Sequence, residues 1–312
     1  MYNSFQIFVI ILAFLILNSC KQKNSEKEAE NFPQTYYRQI VTPEYEWEKP
    51  VSNPQAVLVL LGGYAENAED IKREFKILEK AKANKIAIVY SNYNKKLWLA
   101  ENELDELSKQ LKKIFTDNEL AEDNVYLGGF SSGGDLALLI GNYLTENQAI
   151  ELIPKGIFIV DAPIDLAELY FSAEKNLVRN FSESSTQEST WLIEELGNSL
   201  GNPNNTLTEY EKYSVFTLKT GQINNIASLN KTKIRMYTEP DTLWWKKNRM
   251  ADYEQTNAYL IKKLSEKLQN SGFAKLEYIP TENRGYRANG ERHPHSWSIV
   301  EIDELINWML NK

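Results

Sequence analysis

Short apolar runs alternate along the chain with segments of helical periodicity. The run from Ala56 to Leu61 is continuously apolar and ends at two glycines, which is typical of a strand buried on both faces. The same criteria predict strands at 56–61, 85–90, 125–127, 156–160, 233–237 and 276–279, and helices at 70–82, 101–115, 132–144, 253–270 and 298–310. Strands that alternate with helices predict a mostly parallel central sheet with helices on both faces.

The amino terminus has the pattern of an export signal. An apolar run from Ile7 to Leu17 fits the core of a signal peptide, and it leads into Leu17-Asn18-Ser19-Cys20. That stretch resembles a bacterial lipobox, which implies a signal peptide over 1–19 and a lipidated Cys20. The polar segment that follows predicts a flexible tether over 20–50 and a folded domain over 51–312.

These features predict a protein of the cell envelope, anchored by lipid in the outer membrane and facing the periplasm. The alternative is an uncleaved membrane anchor with a free thiol. Both interpretations place the domain outside the cytoplasm.

Composition excludes several classes of function. The 312-residue chain has a net charge of −8 and no basic stripe, so we expect no nucleic-acid partner. A single cysteine precludes an intramolecular disulfide, and with only two histidines a zinc site built mainly from His and Cys is not expected. Neither a metal nor an organic cofactor is predicted.

A nucleophile motif lies between a predicted strand and a predicted helix. Gly129-Phe130-Ser131-Ser132-Gly133 follows the apolar residues 125–127 and precedes an Ala- and Leu-rich segment. Small residues on both sides permit the sharp turn that exposes a serine hydroxyl above a sheet. The register puts Ser131 at the tip, with Ser132 as the rival hydroxyl.

From about Val51 to its end, the chain resembles the α/β-hydrolase family on this motif. The resemblance implies an oxyanion hole made by two backbone amides, those of Ser132 and Tyr64. Tyr64 belongs to Gly62-Gly63-Tyr64, after an earlier strand, where the family often has His-Gly-x. Gly62 departs from that pattern, but the donor is a backbone amide and needs no particular side chain.

A serine hydroxyl needs an adjacent base. Both histidines, His293 and His295, lie between the last predicted strand and the last predicted helix, where the resemblance places the family's base. His295 is preferred because it leads directly into the helix. His293 is the alternative, and its neighbour Arg292 is expected to lower its pKa.

The acid that orients the base is expected after the strand 233–237. Asp241 matches the family spacing best, and Glu239 is the alternative. Asp161 and Asp165, which follow the preceding strand, are further candidates.

Two further features bear on the substrate. The segment 166–231 is long for a single connection and is predicted to form a small cap insertion, and caps in this fold set substrate choice. The alternative is an insertion without a role at the site. The pair Trp244-Trp245 and the arginines Arg284, Arg287 and Arg292 suggest contacts to an aromatic or anionic acyl group, although packing and surface ion pairs are the ordinary roles of such residues.

The resemblance implies a serine hydrolase that cleaves a carboxylic ester of a small-molecule acyl substrate. Peptidase, amidase and acyltransferase activities use the same residues, and fold does not choose among them. A non-catalytic binding lipoprotein on the same fold is the alternative from another class. Composition and pattern leave the oligomeric state open.

Overall fold

A computed structural model describes residues 37–311; the predicted signal peptide and Cys20 lie outside the described residues. The strands are β1 (Tyr37–Val41), β2 (Tyr45–Pro50), β3 (Ala56–Leu61), β4 (Ile86–Ser91), β5 (Val125–Phe130), β6 (Gly156–Val160), β7 (Lys233–Thr238) and β8 (Leu276–Pro280). The helices are α1 (Ala68–Glu74), α2 (Leu78–Ala83), α3 (Glu101–Asp117), α4 (Ser132–Glu146), α5 (Leu166–Arg179), α6 (Glu183–Leu200), α7 (Pro203–Glu211), α8 (Thr242–Arg249), α9 (Asn257–Asn270) and α10 (Ile302–Leu310).

These strands form one sheet in the order β1-β2-β4-β3-β5-β6-β7-β8. The pairings of β1 with β2 and of β2 with β4 are antiparallel, and every other pairing is parallel. The carboxyl ends of β3, β5 and β6 therefore meet at one edge of the sheet. Ligands of open parallel sheets bind at this edge.

Alternation along each strand explains why the apolar runs are continuous. In β3, Val57 and Val59 pack into one core with α3, α4 and α9, whereas Leu58 and Leu60 pack into a second core with α1, α2 and α10. Successive side chains of a strand point to opposite faces, and both faces of this sheet are covered. A strand in that position needs an apolar residue at every position.

Several element boundaries differ from the predicted ones because of local backbone signals. The predicted helix 70–82 is interrupted where Phe75 leaves helical angles and, with Ile77, turns into the core. The predicted helix 253–270 begins at Asn257 because the Thr256 hydroxyl caps it, accepting from the Tyr259 amide. The last helix begins at Ile302, after a 3₁₀ turn at Trp297–Ile299.

The predicted tether extends too far, because β1 and β2 lie within its last residues. Trp47 of β2 is buried, while Glu46 and Glu48 are buried on the opposite side. Lys72 pairs with Glu46 at 2.7 Å and Lys82 with Glu48 at 3.3 Å. These distant lysines neutralise a strand whose polar composition indicated a solvated segment.

The segment between β6 and β7 forms α5, α6, α7 and a 3₁₀ helix at Asn224–Lys231. Three of its helices share a small core of their own that includes Tyr170, Leu196 and Tyr210. Leu97, from the loop before α3, joins this core and ties the helices to the main domain. No helix of residues 37–311 has the length and apolar character needed to cross a membrane.

Candidate active site

A cavity of about 300 Å³ opens at the carboxyl edge of the sheet. Five residues predicted from the sequence line it: Tyr64, Ser131, Ser132, His293 and His295. Residues of α5 and α6 also line it, so the helices between β6 and β7 form part of the wall of the cavity that holds the candidate nucleophile.

Ser131 occupies the tip of the turn from β5 into α4. Its backbone angles, φ 51° and ψ −133°, are ones that few residues other than glycine adopt. The Ser131 amide donates to the Val160 carbonyl at 2.9 Å, and its carbonyl accepts from the Gly134 amide at 2.8 Å. This is the strained strand-to-helix turn that presents a serine hydroxyl to a cavity.

The glycines around Ser131 are required by close backbone contacts. A Cβ at Gly129 would lie 2.0 Å from the Gly133 carbonyl oxygen. A Cβ at Gly133 would lie 2.3 Å from the carbonyl oxygens of Leu61 and Gly62. No side chain fits at either position, which explains the G-x-S-x-G spacing physically.

Two backbone amides are available to an oxyanion. The Ser132 amide is the first of α4, and the first amides of a helix have no acceptor within it. Within residues 37–311 the Tyr64 amide has no acceptor either. A Cβ at Gly62 would lie 2.7 Å from the Cβ of Glu66, so this turn excludes the histidine that the family often has there.

Glu66 holds the turn in place. Its Oε2 accepts from the Gly63 amide at 2.8 Å and from the Trp297 indole at 3.2 Å. Trp297 follows His295 by two residues, so one carboxylate joins the candidate oxyanion turn to the segment that carries the candidate base.

His295 is paired with Asp161. Its Nδ1 lies 2.7 Å from Asp161 Oδ2, and Asp161 Oδ1 accepts from the Thr238 hydroxyl at 2.8 Å. An ionised carboxylate only accepts hydrogen bonds, so in a neutral imidazole this pairing puts the proton on Nδ1 and the lone pair on Nε2. The Phe130 ring packs on the imidazole, with 4.5 Å between ring centroids.

The predicted pairing of Asp241 with the histidine is therefore wrong in this structure. Asp241 instead caps α8, accepting from the Trp244 amide at 2.9 Å, and it pairs with Arg292 at 2.6 Å. Strand register explains the difference. Phe130 of β5 is opposite Val160 of β6, so Ser131 and Asp161 leave neighbouring strands at the same level. Asp241 follows β7, one strand further from the nucleophile.

The alternative acid, Glu239, is also engaged elsewhere. Its side chain is 1% exposed, forms an ion pair with Arg292, and accepts from the Arg284 and Gly285 amides at 2.9 Å each. It therefore joins the loops that follow β7 and β8. Asp165, a further candidate, caps α5 and accepts from the Leu218 amide at 2.7 Å; burial raises its pKa to about 6.

His293 occupies a different environment from His295. Its ring packs on Trp244 and Trp245, with centroid distances of 4.6 Å and 6.1 Å. Burial, followed by the charges of Arg287, His295 and Arg249, lowers the pKa of His293 to about 3. Its buried Nδ1 has no hydrogen-bond partner within residues 37–311, so no acid orients it as Asp161 orients His295.

Of the aromatic and basic residues predicted to contact the substrate, some pair with acids and others line the cavity. Arg284 pairs with Glu301 and Arg292 with Glu239 and Asp241, so neither is available to a ligand. Trp245 and Arg287 line the cavity, and so does Arg249, which the sequence pattern did not single out. Arg249 follows the indole pair on α8, a helix absent from the predicted elements.

The part of the chain that the structure describes contains no cluster of three or more His, Cys, Asp or Glu side chains that could hold a metal ion.

No protein-family model matches the chain, and no curated protein matches it. Among solved structures it is similar to carboxyl esterase 2 (TmelEST2) from the mycorrhizal fungus Tuber melanosporum, at 13% identity and a TM-score of 0.53 over 90% of this chain and 89% of that one. EstE5 matches at 11% identity and a TM-score of 0.53, over 89% and 86% of the two chains. An esterase from the bacterial hormone-sensitive lipase (HSL) family matches at 12% identity and a TM-score of 0.51, over 89% and 85%.

At these identities the similarity establishes the fold. The chain has the α/β-hydrolase fold, and the fold class predicted from its sequence is confirmed.

Proposed function

We propose that this protein is a serine hydrolase that cleaves a carboxylic ester or a related acyl bond. The observation that carries the proposal is the 2.7 Å pair between His295 Nδ1 and Asp161 Oδ2, formed beside the strained turn of Ser131. Ser131 and His295 line one cavity. The structural neighbours named as esterases support the same class of reaction.

The proposed reaction has two steps. Ser131 Oγ attacks the substrate carbonyl while His295 Nε2 takes the hydroxyl proton, and the carbonyl electrons move onto an oxygen held by the Tyr64 and Ser132 amides. The tetrahedral intermediate collapses with loss of the alcohol, which receives the proton from His295. In the second step His295 takes a proton from a water molecule as the water attacks the acyl-serine. The proton then passes to Ser131 Oγ as the carboxylic acid is released.

Asp161 is the proposed orienting acid in place of Asp241. Its carboxylate keeps the Nδ1 proton of His295 in position and stabilises the imidazolium that forms during each step. Its burial, at 3% exposure, and its second hydrogen bond from Thr238 support that role, because a fixed carboxylate fixes the imidazole.

The test is labelling of the folded domain with a small fluorophosphonate, together with hydrolysis of short p-nitrophenyl esters. We expect wild-type protein to label and to turn over, and Ser131→Ala to lose labelling and at least about a thousandfold in kcat. Ser132→Ala is the matched control, because it removes the rival hydroxyl and keeps the backbone amide. Folded wild type that does neither would contradict the proposal and favour a non-catalytic binding protein.

Export and lipidation at Cys20 remain a separate proposal, because those residues lie outside the described range. The lipobox-like sequence supports an anchor in the outer membrane, with the domain in the periplasm. Under this proposal the enzyme acts on small acyl substrates in the cell envelope.

A further inference from the structure

Two arginines line the cavity without an acidic partner. Within residues 37–311, neither Arg249 nor Arg287 has a carboxylate within ion-pair distance, and neither guanidinium donates a hydrogen bond to the protein. Both are partly buried. Both charges act on the same side chain, because both lower the pKa of His293 in the cavity wall.

Five other arginines of the domain are neutralised by acids, while Arg38 is exposed to solvent on β1 and has no ion pair among the described residues. Arg73, Arg179, Arg235, Arg284 and Arg292 all form ion pairs with Asp or Glu side chains. The chain has eight more acidic than basic residues, so acids are abundant. Two unpaired guanidinium groups in the wall of the cavity that holds Ser131 are therefore not a consequence of composition.

Arg287 is held beside the reacting groups. Its guanidinium lies 5.7 Å from the centre of the Phe130 ring, and that ring also contacts the imidazole of His295. The Arg287 amide donates to the Glu291 carbonyl at 2.8 Å, and its carbonyl accepts from the Gly290 amide at 2.9 Å. A tight turn thus presents this cation to the cavity.

Arg249 reaches the cavity from α8. It is the last residue of α8, and Trp245 of the same helix also lines the cavity. The only acidic side chain among the described lining residues is Glu188 of α6, which is exposed and pairs with neither arginine. The lining therefore carries an excess of positive charge.

We propose that the substrate of this site is an ester that bears a carboxylate, which Arg249 and Arg287 bind. The inference rests on the proposed function and specifies its substrate class. A guanidinium binds a carboxylate through two parallel hydrogen bonds, and the interaction is strong where water is partly excluded. The negative net charge of the protein repels anions at a distance, so a local pair of cations is what would select them.

The test compares pairs of esters of similar size, in each of which only one member carries a carboxylate. One pair places the carboxylate on the acyl group, p-nitrophenyl hemiglutarate against p-nitrophenyl pentanoate. The second places it on the alcohol, 4-acetoxybenzoate against its methyl ester. We expect kcat/KM for the charged member of one pair to exceed that of the neutral member by roughly tenfold to a hundredfold.

Arginine variants test whether the preference for the charged ester comes from Arg249 and Arg287. We expect Arg249→Gln and Arg287→Gln each to reduce the charged-to-neutral ratio by about tenfold, and added salt to reduce it in wild type. Arg284→Gln is the matched control, because Arg284 lies on the same loop but is paired with Glu301. That variant should keep the ratio. Circular dichroism verifies that each variant is folded.

Two outcomes overturn the inference. One is a wild-type enzyme that hydrolyses the neutral member of both pairs as well as the charged one. The other is a preference that survives in the double Arg249→Gln, Arg287→Gln variant. In either case fluorophosphonate labelling of wild-type Ser131 shows that the hydrolase proposal still stands, whereas wild type that does not label contradicts that proposal itself.

Discussion

At the scale of single residues, two backbone conformations define the site. Ser131 and Asp161 both have positive φ, 51° and 46°, and each directly follows the last residue of its strand. Such conformations cost on the order of 1–3 kcal/mol each. The amides of both residues donate to neighbouring strand ends, Ser131 to Val160 and Asp161 to Tyr237, at 2.9 Å each, and these bonds offset the strain.

The identity of the orienting acid gives the sharpest test at this scale. We expect Asp161→Asn to lower kcat/KM for a p-nitrophenyl ester by roughly a thousandfold or more, because an amide no longer holds the required tautomer of His295. Asp241→Asn is the isosteric control, since Asn also caps helices, and it should lose less than about tenfold. The ratio of the two variants in steady-state kinetics is the measurement.

A larger loss of kcat/KM in Asp241→Asn than in Asp161→Asn would identify Asp241 as the orienting acid. Equal, small effects would mean that neither carboxylate orients the base. Fluorophosphonate labelling rates provide an independent readout of the same ranking.

Asp135 of α4 is a buried carboxyl group that the proposed reaction does not use. It is 3% exposed, and neither of its oxygens has a hydrogen-bond partner within the described residues. Burial raises the pKa of Asp135 well above its usual range. The folded protein therefore keeps this proton at pH values where the unfolded chain releases it.

Asp135→Asn should stabilise the protein increasingly as pH rises. Above the unfolded pKa of about 4, unfolding of wild type releases a proton, so wild-type stability falls with pH by up to about 1.4 kcal/mol per unit until the folded pKa is reached. The Asp135→Asn variant has no proton to release at this position, so this contribution to the pH dependence of stability is lost. Urea unfolding of both proteins at about pH 6 and about pH 8 measures it, and a pH-independent difference would be inconsistent with a neutral buried Asp135.

At the scale of elements, the glycines of two helices serve opposite purposes. Gly133 of α4 lies against the end of β3, where close approach admits no side chain. Gly197 of α6 is in ordinary helical backbone, and an added Cβ would meet only the Tyr170 ring, at 3.6 Å. The first glycine is needed for the site, whereas the second weakens its helix.

Alanine at these two positions should change stability in opposite directions. We expect Gly197→Ala to raise the free energy of unfolding by about 0.5–1 kcal/mol, the difference in helix propensity. Gly133→Ala should lower it and abolish fluorophosphonate labelling, because the new methyl group collides with two carbonyl oxygens. Thermal unfolding and labelling of both variants check this. Stabilisation by Gly133→Ala would contradict the packing described for the turn.

Two loops at the active-site edge of the sheet act as one element. Arg292 pairs with Glu239 and Asp241 after β7 and donates to the Gly285 carbonyl after β8 at 2.8 Å. The acids that family spacing suggested for catalysis thus hold the loop that carries both histidines. Both acids form ion pairs that hold this loop, although their position in the chain matched that of a catalytic acid.

At the scale of the whole molecule, the residues proposed for chemistry gather at one edge of the sheet. Loops after β3, β5, β6 and β8 contribute to it, and helices inserted between β6 and β7 line the same cavity. The amino-terminal segment that is predicted to anchor the protein lies outside the described residues. Its test therefore uses the full chain.

Lipidation is predicted to depend on Cys20 alone, because it is the only cysteine. In a bacterial host, we expect full-length wild type to incorporate radiolabelled palmitate and to fractionate with membranes, and Cys20→Ser to do neither. Ser131→Ala is the control and should be lipidated normally. A wild type that takes up no label would contradict the lipoprotein prediction, and membrane association that survives in Cys20→Ser would favour an uncleaved anchor.

Local pattern along the chain was enough to predict the features that depend on residues close in sequence. Continuous apolar runs identified the parallel strands, because a strand covered on both faces needs apolar residues throughout. The G-x-S-x-G motif placed Ser131 between a strand and a helix, because only small neighbours permit that turn. The position of both histidines after the last predicted strand narrowed the candidate base to two residues.

Other features depend on residues that are distant in the chain and come together only in the folded domain. Strand order put Asp161 beside His295 and left Asp241 to Arg292, and no local pattern reports the order of strands. The lysines that neutralise Glu46 and Glu48 are remote in sequence, so β2 had the composition of a tether. Ring contacts with Trp244 and Trp245 distinguish His293 from His295, which pairs with Asp161. Arg249 and Arg287 line the cavity without an ion pair among the described residues, whereas Arg284 and Arg292 are paired with acids. In each case the deciding interaction joins residues that the fold, and not the sequence, brings together.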